Sequence, residues 1–172
     1  MRILGVDPGS AITGWGMLEG PRGRPRLVDS GVIRLGRSGL EFPERLHRLA
    51  TRFDELVRRL DPTAAAVEAP FHGVNPRSAL QLAHARGVVL ATLAGAGVPV
   101  AEYPPAAVKT AVAGNGRAPK DQVHAMVVRL LGIDDLPGPS DRADAIAVAL
   151  CHAASMGFPD AHTRRATRRR SR

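Results

Sequence analysis

The chain lacks the raw material for several common kinds of protein. It holds one cysteine, Cys151, which excludes an internal disulfide and any cysteine-rich zinc site and fits a reducing compartment. No apolar run approaches the length needed to span a bilayer. The N-terminus opens directly on Ile3, Leu4 and Val6, without the charged and apolar regions of a secretory signal, so a cytoplasmic protein is expected. Aromatic side chains make up only 3% of the residues, which leaves Ala, Val, Leu and Ile to fill the core. Lysine is almost missing: of 24 basic side chains only Lys109 and Lys120 are lysines. Acids are missing altogether from Ala161 to Arg172, a stretch that carries six arginines.

What remains is enough for one domain. The 172 residues are 44% hydrophobic, ordinary for a single globular core. The net charge of +8 comes mostly from the C-terminal arginines, because residues 1–160 hold 18 basic and 16 acidic groups. The expected division is a domain over residues 1–158 and a basic, disordered tail over 159–172. Such a tail suits a polyanionic partner through phosphate contacts, and a solvated end is the plainer account.

Hydrophobic period gives the element order. Residues 2–7 read as a buried strand, Pro8-Gly9-Ser10 as a tight turn, and Ile12–Leu18 as the return strand. Gly14 and Gly16 lie in that strand, where a side chain would obstruct a neighbour. Leu27–Leu35 completes an antiparallel meander. The pattern then turns helical, with Leu46, Leu49, Phe53, Leu56, Val57 and Leu60 on one stripe, ending at Asp61-Pro62. Ala64–Glu68 is a short strand. Asn75 caps a helix that Pro76 opens, running to about Leu93. Val98–Glu102 is a fifth strand. Val108 and Val112 mark a short helix, Gly114–Pro119 a loop, and Gln122–Leu131 and Asp141–Met156 the last helices. This order predicts an α/β domain with a mixed five-stranded sheet flanked by helices.

Four carboxylates stand out by position. Asp7 ends the first strand and Glu68 the fourth. Asp141 and Asp144 open the last helix one turn apart, on one face. If the first and fourth strands are neighbours, their ends share one crevice. Two unit charges about 4 Å apart repel by about 4 kcal/mol at an effective dielectric near 20, so a gathered quartet calls for cations. Hard oxygen donors select Mg²⁺ or Mn²⁺, and two such ions clamp the attacking and leaving oxygens of a phosphodiester. Taken singly, each acid has a plainer account: a turn former at Asp7, a surface residue at Glu68, helix-start acids at Asp141 and Asp144. The combination points to chemistry.

The same residues carry a family resemblance. Gly5-Val6-Asp7-Pro8-Gly9-Ser10 with Thr13-Gly14-Trp15-Gly16, then Val67-Glu68 with Phe71 and Asn75, resembles the opening motifs of the RuvC resolvases. Ala85-Arg86-Gly87-Val88 resembles their central helix. Tyr103, Val108-Lys109, Gly114-Asn115-Gly116 and Lys120 resemble a substrate-binding segment, and Asp141-Arg142-Ala143-Asp144-Ala145 the closing motif. The likeness runs over about residues 2–155 in order.

The resemblance implies a ribonuclease H-like fold and an enzyme that cuts two symmetric strands of a four-way DNA junction, leaving 5′-phosphate and 3′-hydroxyl ends. It implies Asp7, Glu68, Asp141 and Asp144 as catalytic, metal-binding acids for two Mg²⁺ ions, with Mn²⁺ able to substitute. It implies DNA contacts by Phe71, Asn75, Arg77, Lys109 and Lys120, with Phe71 stacking on a base opened at the crossover. Its implied partners are a second copy of the chain, junction DNA and a branch-migration motor. Two departures stand out: Ala69 replaces the Gln common in the family after the second-motif Glu, and some members carry His where this chain has Asp141. Other functions open to the chain are a different ribonuclease H-like nuclease acting on RNA hybrids and a non-catalytic junction-binding module. An actin-like ATPase or sugar kinase would need two lobes and a longer chain.

Overall fold

Three strands, a helix, two further strands separated by a helix, and three final helices build the domain. The computed structural model describes residues 1–21, 23–35, 40–69 and 75–156. Phe71 and the Arg-rich C-terminal segment lie outside the described residues. The elements are β1 (Arg2–Asp7), β2 (Ile12–Glu19), β3 (Arg26–Arg34), α1 (Phe42–Leu60), β4 (Ala64–Glu68), α2 (Pro76–Gly95), β5 (Val100–Tyr103), α3 (Pro105–Ala113), α4 (Lys120–Leu131) and α5 (Ser140–Ser155). One sheet has the order β3-β2-β1-β4-β5. The first three strands form the expected antiparallel meander, and β4 and β5 add in parallel beside β1.

The alternation of side chains along each strand splits the core into two clusters, one on each face of the sheet. Leu4, Val6, Met17 and Val67 pack against Leu49, Phe53, Val89 and Leu93 from α1 and α2. Ile3, Leu18 and Ala66 face α3, α4 and α5. The stripe on α1 is buried as its period requires, at Leu49, Phe53, Leu56, Val57 and Leu60. The amide of Glu41 donates to the Glu44 carboxylate at 3.0 Å at the start of that helix, and Asp61 ends it in the left-handed region at φ 46°. Asn75 caps α2 as expected, its side-chain oxygen accepting from the amides of Arg77 and Ser78 at 3.0 and 3.4 Å.

Helix α5 is Ala-rich and crosses the sheet at very close range. A Cβ at Gly5 would sit 2.1 Å from the Ala145 carbonyl oxygen, and one at Gly14 would sit 2.0 Å from that of Asp141. Glycine is the residue that lets backbone meet backbone here. Arg142 anchors the start of α5 to the meander, donating from Nη2 to Ser30 Oγ on β3 at 2.9 Å. Two element starts differ from expectation by two residues. Sheet pairing of β5 starts at Val100, because the amide of Val98 is taken by the Leu93 carbonyl at 3.0 Å in closing α2. Helix α4 starts at Lys120, directly after Pro119, two residues before the expected Gln122. No helix among the described residues is long and apolar enough to cross a membrane.

Candidate active site

Parallel pairing of β1 with β4 brings Asp7 and Glu68 together. The register sets Val6 beside Val67, both buried toward α1 and α2, so the next residue on each strand projects to the α5 side. On its other flank Asp7 pairs with Gly14, and the main chain of Asp141 rests on Gly14. The first turn of α5 is thereby laid across the strand ends. Asp7, Glu68 and Asp144 line one cleft of about 310 Å³, together with Lys109 from α3 and Lys120 from α4. A second hollow of about 180 Å³ opens beside Asp7 and Glu68, lined by Pro8, Ala69, Leu82, Arg86 and Pro105. A larger cavity, about 1080 Å³, lies at the opposite ends of β4 and β5 beside α1 and contains none of the four acids.

The electrostatics are those of crowded carboxylates. Asp7 is pushed up to about 8, first by burial, then by the charge of Glu68 and a hydrogen bond to it, then by Asp144 and Asp141. Glu68 is also raised, chiefly by burial and against the opposing effect of its hydrogen bond with Asp7. The pair shares a proton, carried on Asp7 and accepted by Glu68. Lys120 donates to Asp144 Oδ2 at 3.0 Å, and this bond raises the lysine's own pKa. Among the described residues no three His, Cys, Asp or Glu side chains form a ready-made coordination sphere. One oxygen of Asp144 is already held by an ammonium, and Asp7 and Glu68 are joined by a proton. Both positions call for positive charge and offer oxygen donors alone, which fits hard divalent cations once proton and lysine are displaced.

The folded protein holds a proton on Asp7 that the unfolded chain releases near pH 3.8. A raised acid stabilises the fold below the unfolded value, and that contribution is lost as pH rises toward the folded one. Metal-free protein is therefore expected to lose stability between pH 3.8 and about 8, and Asp7→Asn to lose less over the same window. Thermal melts of both proteins in EDTA across that range check this, and parallel curves would remove the raised acid from the site.

Five of the nine residues expected from sequence, Asp7, Glu68, Asp144, Lys109 and Lys120, line the one cleft. Asp141 does not line it and acts on Asp7 through its charge, the weakest influence on that acid. Asn75 and Arg77 stand in the cap and first turn of α2, Asn75 as the cap itself. Two contacts were not anticipated. Arg86 reaches the main chain of Glu68, its Nε donating to the carbonyl at 3.3 Å. The Tyr103 hydroxyl hydrogen-bonds His152 Nδ1 at 2.8 Å and Ser155 Oγ at 2.6 Å, tying the end of β5 to α5. The mark of Arg86 in the sequence is a charged residue between Ala85 and Val88-Val89 on an otherwise apolar part of α2.

Comparison with known proteins points to one family. A family model described as crossover junction endodeoxyribonuclease RuvC matches residues 3–152. A protein of that name from Chloroflexus aurantiacus is 49% identical over 153 residues, covering 89% of this chain and 93% of that protein. The RuvC structure of Thermus thermophilus superposes with a TM-score of 0.80 at 39% identity, over 91% of this chain and 97% of that one. The Thermus thermophilus protein in complex with a Holliday junction substrate gives a TM-score of 0.84 at 38% identity, over 91% and 96%. On the matched family model, the level of identity and the shared five-stranded architecture, this chain belongs to the RuvC family of crossover junction endodeoxyribonucleases.

Proposed function

We propose that the protein resolves four-way DNA junctions, hydrolysing one phosphodiester in each of two symmetry-related strands and leaving 5′-phosphate and 3′-hydroxyl ends, in recombination and repair in the cytoplasm. The observation that carries this reading is the cleft itself, where Asp7 and Glu68 from adjacent parallel strands face Asp144, Lys109 and Lys120. Asp7, Glu68, Asp141 and Asp144 would hold two Mg²⁺ ions, with Mn²⁺ as substitute. Such ions would activate water as the nucleophile and neutralise charge on the phosphate under attack. The chain's own groups prepare the site. On binding such ions, the proton between Asp7 and Glu68 would pass to solvent, and Lys120 would be free to turn from Asp144 toward the incoming phosphate. A lysine suits that exchange because its ammonium is a compact charge on a flexible stem. Lys109 meets the strand from the facing wall. Phe71, Asn75 and Arg77 read the crossover near the start of α2, and Phe71 stacks on an opened base. The nuclease domain spans residues 1–158, and the arginines beyond it add phosphate contacts without reading sequence.

A junction presents two related scissile bonds, which a twofold dimer matches. Helix α2 offers the surface for it. Leu80, Ala83, Gly87, Ala91 and Gly95 form an exposed, uncharged stripe at three- and four-residue spacing, and a Cβ at Gly87 or Gly95 would meet nothing within 4 Å. A second copy of the chain fits so close and apolar an approach, and a branch-migration motor is the proposed third partner. The test is cleavage of junction, linear duplex and RNA–DNA hybrid, each with and without divalent metal, alongside sedimentation at micromolar concentration. Metal-dependent cutting confined to the junction, by a dimer, is expected. Equal cutting of the hybrid would reassign the protein as a general ribonuclease H-like nuclease, and binding without cutting would make it a junction-binding module.

A further inference from the structure

Arg86 projects from the middle of α2 toward the end of β4, and its side chain is only 14% exposed. Its Nε–H donates to the Glu68 carbonyl at 3.3 Å, and its Nη2 pairs with the carboxylate of Glu102 on β5. The sheet explains why a donor is needed there. Ala65 and Ala69 turn their amides to the carbonyls of Pro99, just ahead of β5, and Tyr103 at its end, so the carbonyls of the intervening even-numbered residues of β4 point to β1. With Val6 beside Val67, the Glu68 carbonyl would take its bond from the amide of residue 8. Residue 8 is proline, which has no N–H to give. A carbonyl at the inner end of a strand needs a partner, and the Arg86 guanidinium stands where the ladder fails.

Val67 faces α2, so the Glu68 side chain faces the other way, into the cleft it shares with Asp7. We propose that Arg86 is a positioning residue for Glu68: by holding the Glu68 main chain from the α2 side, where Pro8 leaves the ladder bond unmade, it fixes the direction in which the carboxylate leaves the sheet. The proposal rests on the reading of Glu68 as a metal-binding acid. Glu102 is the second partner of the same guanidinium, and a glutamine in its place would still accept from it. The planar fork serves both partners from one rigid group, which a lysine cannot do.

The test uses the full chain and three variants. Arg86→Ala removes both bonds. Arg86→Lys keeps a cation for Glu102 and loses the Nε–H. Glu102→Gln leaves the Nε–H in place. Mn²⁺ affinity is measured by calorimetry on the protein without DNA, and single-turnover cleavage of a saturating four-way junction is followed against Mn²⁺ concentration. Both Arg86 variants are expected to bind Mn²⁺ and to cleave about 10- to 100-fold less well, the range for groups that orient a ligand, with junction affinity in EDTA unchanged. Glu102→Gln is expected to stay near wild type in both. Wild-type Mn²⁺ affinity and rate in Arg86→Lys would overturn the proposal, as would a defect confined to junction affinity, which would make Arg86 a DNA contact. If Arg86→Ala does not fold, Arg86→Lys and Glu102→Gln decide, and equal losses in those two overturn it. A wild-type protein that binds Mn²⁺ and cuts no junction would instead overturn the proposed function, leaving Arg86 to be judged on Mn²⁺ affinity.

Discussion

Replacing Asp7, Glu68 or Asp144 by its amide is expected to slow junction cleavage by at least about 100-fold, about 3 kcal/mol of barrier, while junction binding persists. The amides keep shape and volume and remove one anionic oxygen each. Asp7 and Glu68 sit on neighbouring strands held in register by the ladder, so neither can shift to cover for the other. Asp144 is fixed on a helix whose main chain rests on the sheet. Binding survives because each change removes a negative charge from a surface that meets phosphates. Asp141, which does not line the cleft, is expected to matter least of the four. Single-turnover rates at saturating enzyme, with affinities measured in EDTA, separate the two effects. An Asp7→Asn protein that cleaves at nearly the wild-type rate would remove the quartet from the mechanism.

The second large effect belongs to a residue with no functional group. Gly14→Ala would set a Cβ 2.0 Å from the Asp141 carbonyl oxygen and 2.5 Å from its carbon. Both are main-chain atoms, so no side chain can turn aside to make room. Helix α5 would have to lift from the sheet, and its buried residues, Ala145 to Cys151, pack on every side. Overpacking in cores costs about 1–3 kcal/mol where side chains can yield; here a loss at or above about 3 kcal/mol is expected. Activity should fall further than stability explains, because the lifted turn carries Asp141 and Asp144. Urea unfolding gives the first quantity, and cleavage well below the melting temperature gives the second. A protein with unchanged midpoint and rate would show that the helix does not rest on Gly14.

Most of this site was legible in the sequence because its key positions follow local rules. Asp7 and Glu68 end short apolar strands, Asn75 precedes Pro76 as a cap should, and Asp141 and Asp144 are one helical turn apart. Gly14 and Gly16 could be read as places where a side chain would collide, although the partner that collides, α5, lies more than a hundred residues away. Lys120 and Asp121 continue the polar run of the loop, so the pattern starts α4 at Gln122, whereas Pro119 ends that loop and the helix starts at once. Val98 and Pro99 extend the apolar run ahead of β5, although the amide of Val98 closes α2 and the paired strand begins at Val100. Arg86 was invisible as a contact for a different reason. Its partner is a carbonyl, which leaves no mark in a sequence, and the need for it arises from the proline that follows the neighbouring strand.

The sheet divides the apolar interior into two compartments that share little besides the strands. Leu49, Phe53, Val89 and Leu93 belong to one, and α3, α4 and α5, beside the clustered acids, to the other. An engineer could therefore repack the α1–α2 compartment for heat tolerance and leave the reactive geometry in place, provided Arg86 is kept. The same change of volume beneath α5 would be felt at once by the carboxylates. Robustness and chemistry are assigned to opposite sides of a single layer of backbone, and each can drift without dragging the other along.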